Sequence, residues 1–209
     1  MLGVRETVDP GKITIVPANE ASWDDLLAVF GKTDYAPRCL CQAFKTQGWH
    51  WAELGHDARV ERLQAQTHCG DPDAETTSGI VAYLDGEPVG WCAVEPRTAY
   101  LRLVAGRSPV YWKGRDEDKE DDTVWAATCF VTRKEYRHRG VMYELARGAV
   151  EFARSRGAKA LEAYGMITEP GKEITWGELH VGSVNALADA GLVEVSHPTK
   201  RRVVMRIDF

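Results

Sequence analysis

One stretch constrains this chain more than any other: residues 124–156, VWAATCFVTRKEYRHRGVMYELARGAVEFARSR. Its opening residues, 124–132, are apolar, β-branched or aromatic, too short a run for a helix, and read as a buried strand. Residues 133–140 follow as a basic loop carrying Arg133, Lys134, Arg137 and Arg139. From Val141 onward, Leu145, Ala149, Phe152 and Ala153 return at helical spacing until Gly157, which is placed to stop a helix. A strand feeding a helix through a cationic turn makes an anion trap. The first helical turn offers unpaired N–H groups, the helix dipole adds positive potential, and Gly140 lets a ligand approach the backbone. The plainer reading, a surface arginine loop capping an ordinary helix, leaves the strand–loop–helix context without a use.

The elements around this stretch alternate between the two periodicities. Residues 1–11 read as a loose terminal segment, and residues 12–17 as a first strand ended by Pro17. Ser22 is a candidate N-cap for a helix with Trp23, Leu26, Leu27 and Phe30 on its apolar side, stopped by Gly31. Residues 33–56 are irregular and rich in aromatics, with Tyr35, Phe44, Trp49 and Trp51 around Cys39 and Cys41. These rings either wall a pocket or complete the core. Asp57 is placed to cap a second helix reaching about Thr67. Two apolar runs, residues 79–84 and 87–94, flank Asp85-Gly86, which predicts a tight hairpin. Residues 95–122 form a long connection with a helical turn near residues 100–104 and an acidic run at 115–122, read either as a solvated loop or as a rim attracting a cation. Beyond the central helix, residues 158–164 predict a parallel strand, 166–179 a loop, and 180–190 a short helix. Residues 192–195 and 202–207 predict a terminal antiparallel pair, with the last strand near the sheet edge.

Composition narrows the function classes. A chain of 209 residues that is 44% hydrophobic and 27% charged suits one folded domain spanning residues 1–209 rather than a disordered segment. A net charge of −5 excludes a general nucleic-acid binder, whose surface would be basic, and weakly favours a cationic substrate. There is no run long enough for a membrane span and no apolar leader core, so no membrane partner is expected. Five cysteines, an odd number without a secretion signal, predict reduced thiols and a cytoplasmic protein. The spacing of Cys39, Cys41, His50, His56, His68 and Cys69 matches no usual zinc arrangement, and no metal is expected.

The residues Arg137-His138-Arg139-Gly140-Val141-Met142 resemble the pyrophosphate-binding signature of the GNAT superfamily of acyl-CoA-dependent N-acyltransferases, [QR]-x-x-G-x-[GA], with Met142 departing at the last position. The hairpin at residues 79–94 is similar to the family's hairpin, and the order of elements matches. The resemblance spans residues 13–209. It implies an α/β (α+β) GNAT fold, a mixed twisted sheet of about seven strands flanked by about four helices, splayed between strands four and five. It also implies acetyl-CoA as co-substrate, its pantetheine lying in that gap like an added strand. Phe130, Val131 and Thr132 would pair with the pantetheine amides. Backbone groups of Arg137, His138, Arg139, Gly140, Val141 and Met142 would hold the pyrophosphate. Arg133, Lys134 and Arg139 would meet the ribose 3′-phosphate.

The activity implied is transfer of an acetyl group to a primary amine, on a small molecule or a peptide, by direct attack in a ternary complex. Such chemistry needs both reactants positioned, a group to take the amine proton, and optionally one to protonate the leaving sulfur. Many family members place a tyrosine four residues before the glycine ending the last helix; here that position is Leu187. An asparagine seven residues earlier is replaced by His180, which either assists proton transfer or caps the helix. The middle of strand four supplies no carboxylate. Glu162 and Tyr164, on strand five beside the gap, are the remaining candidates, Glu162 being either a base or a buried carboxylate paired with an arginine. Cys129 as a nucleophile would need a histidine partner, and strand packing explains it as well. The alternative function is a non-catalytic acyl-CoA-binding regulator; a third is a protein-interaction domain with an incidental basic loop. A homodimer fits either of the first two.

Overall fold

The structure, a computed structural model, describes residues 10–32, 35–47, 50–105, 109–169, 171–172 and 174–209. The apolar runs pair into one seven-stranded mixed sheet in the order β1-β2-β3-β4-β5-β7-β6. Its strands are β1 (Ile13–Pro17), β2 (Ile80–Leu84), β3 (Glu87–Pro96), β4 (Val124–Thr132), β5 (Ala160–Ala163), β6 (Val193–Thr199) and β7 (Arg202–Asp208). Strands β4 and β5 run parallel; the other neighbours are antiparallel. Four helices exceed a single turn among the described residues: α1 (Trp23–Phe30), α2 (His56–Thr67), α3 (Val141–Ser155) and α4 (Val184–Asp189).

Alternation along the strands fills two cores, one on each face. Ile80, Ala82, Val89, Cys92, Val94 and Phe130 meet Val141, Leu145 and Ala149 of α3. On the opposite face Val81, Trp91, Ala93, Cys129 and Val131 meet Leu26 and Phe30 of α1 and Leu63 of α2. Two glycines let α3 lie close to the sheet. A Cβ at Gly90 would stand 2.9 Å from Leu145 and Val141, and one at Gly148 would stand 2.9 Å from Ile15. The helix end that follows the basic loop is thereby fixed at the end of β4.

The splay between β4 and β5 has a local cause. Pairing runs from Val124↔Ala160 to Ala127↔Ala163 and stops. On the other edge of β4 the register passes from Ala93↔Cys129 to Val94↔Ala127, which leaves Thr128 as an extra residue. A bulge of this kind bends its strand and ends regular pairing. Beyond it, residues 128–132 diverge from β5.

Several local expectations hold. Ser22 Oγ accepts from the Asp25 N–H at 3.0 Å, and Asp85 and Gly86 turn the hairpin with φ of 51° and 85°. Others need correction. Helix α2 is preceded by Gly55 as its N-cap, and Asp57 lies inside the first turn, where its charge favours the helix dipole without a cap bond. The last strand, β7, is interior, between β5 and β6; its consecutive buried residues Val203, Val204 and Met205 suit a strand covered on both faces. The helix expected from residue 180 begins at Val184, because Ser183 caps it by accepting from the Ala186 N–H. His180 therefore lies in the preceding turn and does not cap this helix. Trp49 and most of the terminal segment 1–11 lie outside the described residues.

Candidate functional site

The basic loop folds as a short 3-10 turn, Lys134–Tyr136, and then reverses through two left-handed residues, His138 (φ 63°) and Gly140 (φ 90°). Gly140 is the N-cap of α3 and no side chain caps that helix end; the Tyr143 N–H donates to the Gly140 carbonyl at 2.9 Å, and the N–H groups ahead of it are the ones set to meet another acceptor. A Cβ at Gly140 would meet no atom within 4 Å; the space over this backbone is open. Beside it is a cavity of about 380 Å³ lined by Phe130, Thr132, Arg137, His138, Gly140, Val141 and Met142, with Tyr136, Tyr143, Ile174 and Leu179 completing the wall. A second cavity of about 240 Å³ shares Thr132 and Arg137 and adds Val131, Arg133, Lys134 and the end of α1. Arg139 lines neither; its guanidinium lies over the Tyr136 ring, 5.5 Å from the centroid.

The far end of β4 forms the floor. Arg137 Nε donates to the Thr132 carbonyl at 3.3 Å, and the Phe130 N–H donates into the gap, to the His180 carbonyl. Since backbone groups alternate along a strand, Phe130 and Thr132 face the gap while Val131 is turned toward Trp91 on β3. Val131 is thus badly placed for the pairing expected of it.

Glu162 and Tyr164 belong to a different constellation. Glu162 is 0% exposed, as is Arg97. Arg97 donates to Glu162 at 3.2 Å, Arg206 from the neighbouring strand at 3.1 Å, and Arg115 completes the set. The Tyr164 hydroxyl donates to the same carboxylate at 3.3 Å, and burial, reinforced by the Glu162 charge, pushes that phenol well above its ordinary range. These donors occupy the carboxylate, and neither Glu162 nor Tyr164 lines the cavity. The geometry is that of the buried ion pair rather than the base. Arg97 also donates to the carbonyls of Asp118 and Lys119, and Arg97 and Arg115 flank the Trp112 ring at 4.9 and 4.7 Å. The acidic run is therefore anchored, not loose. Nothing local in the sequence announces Arg97; the one signal was a carboxylate in mid-strand, which requires a cation.

His180 sits at the gap beside Phe44 and Tyr35, with ring centroids 6.4 and 5.9 Å away. Its Nδ1 lies 2.7 Å from the Gly177 carbonyl, which makes Nδ1 the protonated nitrogen and Nε2 the acceptor. Burial lowers its pKa from 6.5 to about 4, so the ring is neutral at physiological pH. Phe44 stacks on Tyr164 at 6.2 Å and packs with Tyr100, Leu103 and Val181; this ring completes the core. Burial pushes the Cys39 thiol up to about 12, and a hydrogen bond with Cys41, reinforced by burial, pushes Cys129 well above its usual range. Such thiols are poor nucleophiles. Among the described residues no group of three or more histidine, cysteine or acidic side chains is arranged to hold a metal ion.

The sequence model of the acetyltransferase (GNAT) family matches residues 43–170. The chain belongs to the GNAT family. Its fold is shared with a GCN5-related N-acetyltransferase from Kribbella flavida, at 17% identity over 96% of this chain and 100% of that one, with a TM-score of 0.53. The yncA protein of Salmonella typhimurium, solved with its cofactor acetyl-CoA, is similar at 14% identity over 94% of each chain, TM-score 0.51. An acetyltransferase of the GNAT family from Streptococcus pneumoniae gives 14% identity over 94% and 99% of the two chains, TM-score 0.50. No curated protein is significantly similar in sequence.

Within the GNAT frame the acyl donor is acetyl-CoA, and this chain's departures acquire positions. Met142 lines the cavity and packs against the α3 core. Leu187, where many GNAT members have tyrosine, is buried in the same core. Among the described residues no helix is long and apolar enough to cross a membrane.

Proposed function

We propose that this GNAT-family protein is an N-acetyltransferase moving the acetyl group of acetyl-CoA to a primary amine by direct attack in a ternary complex. The observation that carries this reading is the open backbone at Gly140 and the α3 N-terminus, adjoining the gap-facing edge of β4. Backbone N–H groups there suit a pyrophosphate. Arg133 and Lys134 in the adjoining cavity suit a further phosphate, with Arg139 packed on Tyr136 behind them. The gap-facing backbone of Phe130 and Thr132 suits an extended amide-bearing arm. His180 is our candidate for taking the amine proton: its Nδ1 lies against the Gly177 carbonyl, which makes Nε2 the accepting nitrogen of a neutral ring, and it would act as a base once the burial that lowers its pKa is relieved. The protein works in the cytoplasm, in keeping with its five free thiols.

A second reading, a regulator that binds acyl-CoA without turnover, is favoured by the locking of Glu162 and Tyr164 in the arginine cluster and by Leu187. Thiol release from acetyl-CoA across a panel of aminoglycosides, polyamines, amino acids and peptide N-termini separates the two. The enzyme reading expects release with at least one amine, and loss of most of that rate in His180→Gln. Silence across the whole panel, with acetyl-CoA still bound, would make the protein the regulator.

A further inference from the structure

The gap between β4 and β5 is crossed by the chain itself. On one side the His180 carbonyl accepts from the Phe130 N–H of β4. On the other, the Met166 N–H donates to Gly182 at 2.9 Å and the Val184 N–H donates to Met166 at 3.0 Å, giving a parallel bridge between Met166 and Ser183. Residues 180–183 are thus a short connection laid into the splay, joined to β4 by one hydrogen bond and bridged at Ser183 to Met166, beyond the end of β5. Leu179, just before it, forms part of the wall of the donor cavity with Phe130 and Thr132. Gly182 makes the crossing feasible: its φ is +92°, and a Cβ there would stand 3.0 Å from the Phe130 ring.

We propose that residues 180–183 are a displaceable strap, which competes with the pantetheine arm of the donor for the Phe130 amide. This rests on the donor reading above and adds regulation to the same site. One N–H cannot donate fully to the strap carbonyl and to a ligand carbonyl at once, so donor binding and strap release are a single event. The strap is held by these backbone bonds and by the buried Val181 side chain packed with Phe44 and Tyr100, so the release needed is a local shift of the His180 carbonyl, whose bond a ligand can replace with its own. Donor affinity is then the intrinsic affinity multiplied by the fraction of molecules with the strap released.

Hydrogen exchange with coenzyme A as the probe tests this in the full chain. Coenzyme A is expected to protect residues 138–143 while increasing exchange in 180–184. Gly182→Ala, strained by its positive φ and by the Phe130 ring, is expected to bind coenzyme A at least about threefold more tightly by weakening the closed strap. Protection of 138–143 together with unchanged or increased protection of 180–184 overturns the strap and leaves the donor site standing. A folded Gly182→Ala protein of unchanged or weaker affinity overturns it as well. No protection at 138–143 removes the donor reading, and the strap with it. If Gly182→Ala fails to fold, exchange in the wild-type chain decides alone.

Discussion

At the scale of single residues, the buried carboxylate of Glu162 and the imidazole of His180 make opposite predictions. Glu162 neutralises part of a cluster holding Arg97, Arg115 and Arg206. Removing one partner of a buried pair leaves the others uncompensated. Glu162→Gln is therefore expected to cost about 3 kcal/mol of stability in urea unfolding. Unaltered stability with turnover lost would return Glu162 to a catalytic role. His180 has a folded pKa of about 4 against an ordinary 6.5. Between those values the unfolded chain binds the extra proton, so the stability this neutral ring contributes is complete above about pH 6.5 and lost as pH falls toward 4. The loss attributable to it is at most about 3 kcal/mol. Denaturation series at pH 7 and 5 should show a shallower decline for His180→Gln than for the wild type; parallel declines would mean that His180 is not the titrating group.

Among the elements, those whose bounds rest on neighbours in sequence were legible, and those fixed by distant partners were not. The Asp85-Gly86 turn, the Ser22 cap and the run from β4 through Gly140 into α3 each carry their determinants within a few residues. The order of β6 and β7 does not, because a terminal hairpin can add to β5 by either strand with the same alternation. Arg97 and Glu162 lie 65 residues apart, so no local pattern could show that the acidic loop is tied down at their cluster. The candidate site divides along the same line. The cradle was readable as a motif, whereas the turn that brings His180 to the gap depends on Gly182 resting against Phe130, a contact visible only once the sheet has formed.

For the molecule as a whole, the proposed reading has an acidic chain of net charge −5 carrying an anion site. The charge that matters on that reading is local: a helix N-terminus held down by Gly90 and Gly148, with Lys134, Arg137 and Arg133 nearby, Arg133 also lying 3.5 and 3.6 Å from Glu87 and Glu135. The donor cradle is fixed by packing on one face of the sheet, while the opposite face is filled by the aromatic layer around Phe44. On the proposed reading, donor recognition is built into the fold and acceptor recognition depends on how the gap opens. The most direct measurement is calorimetric titration of acetyl-CoA into the wild type and Gly140→Val. The wild type should bind saturably, with about 2.7 kcal/mol of added stability at a hundredfold excess over Kd. The folded variant, its open backbone covered by the new side chain, should not bind. No heat from the wild type, or equal affinity in Gly140→Val, would contradict the account.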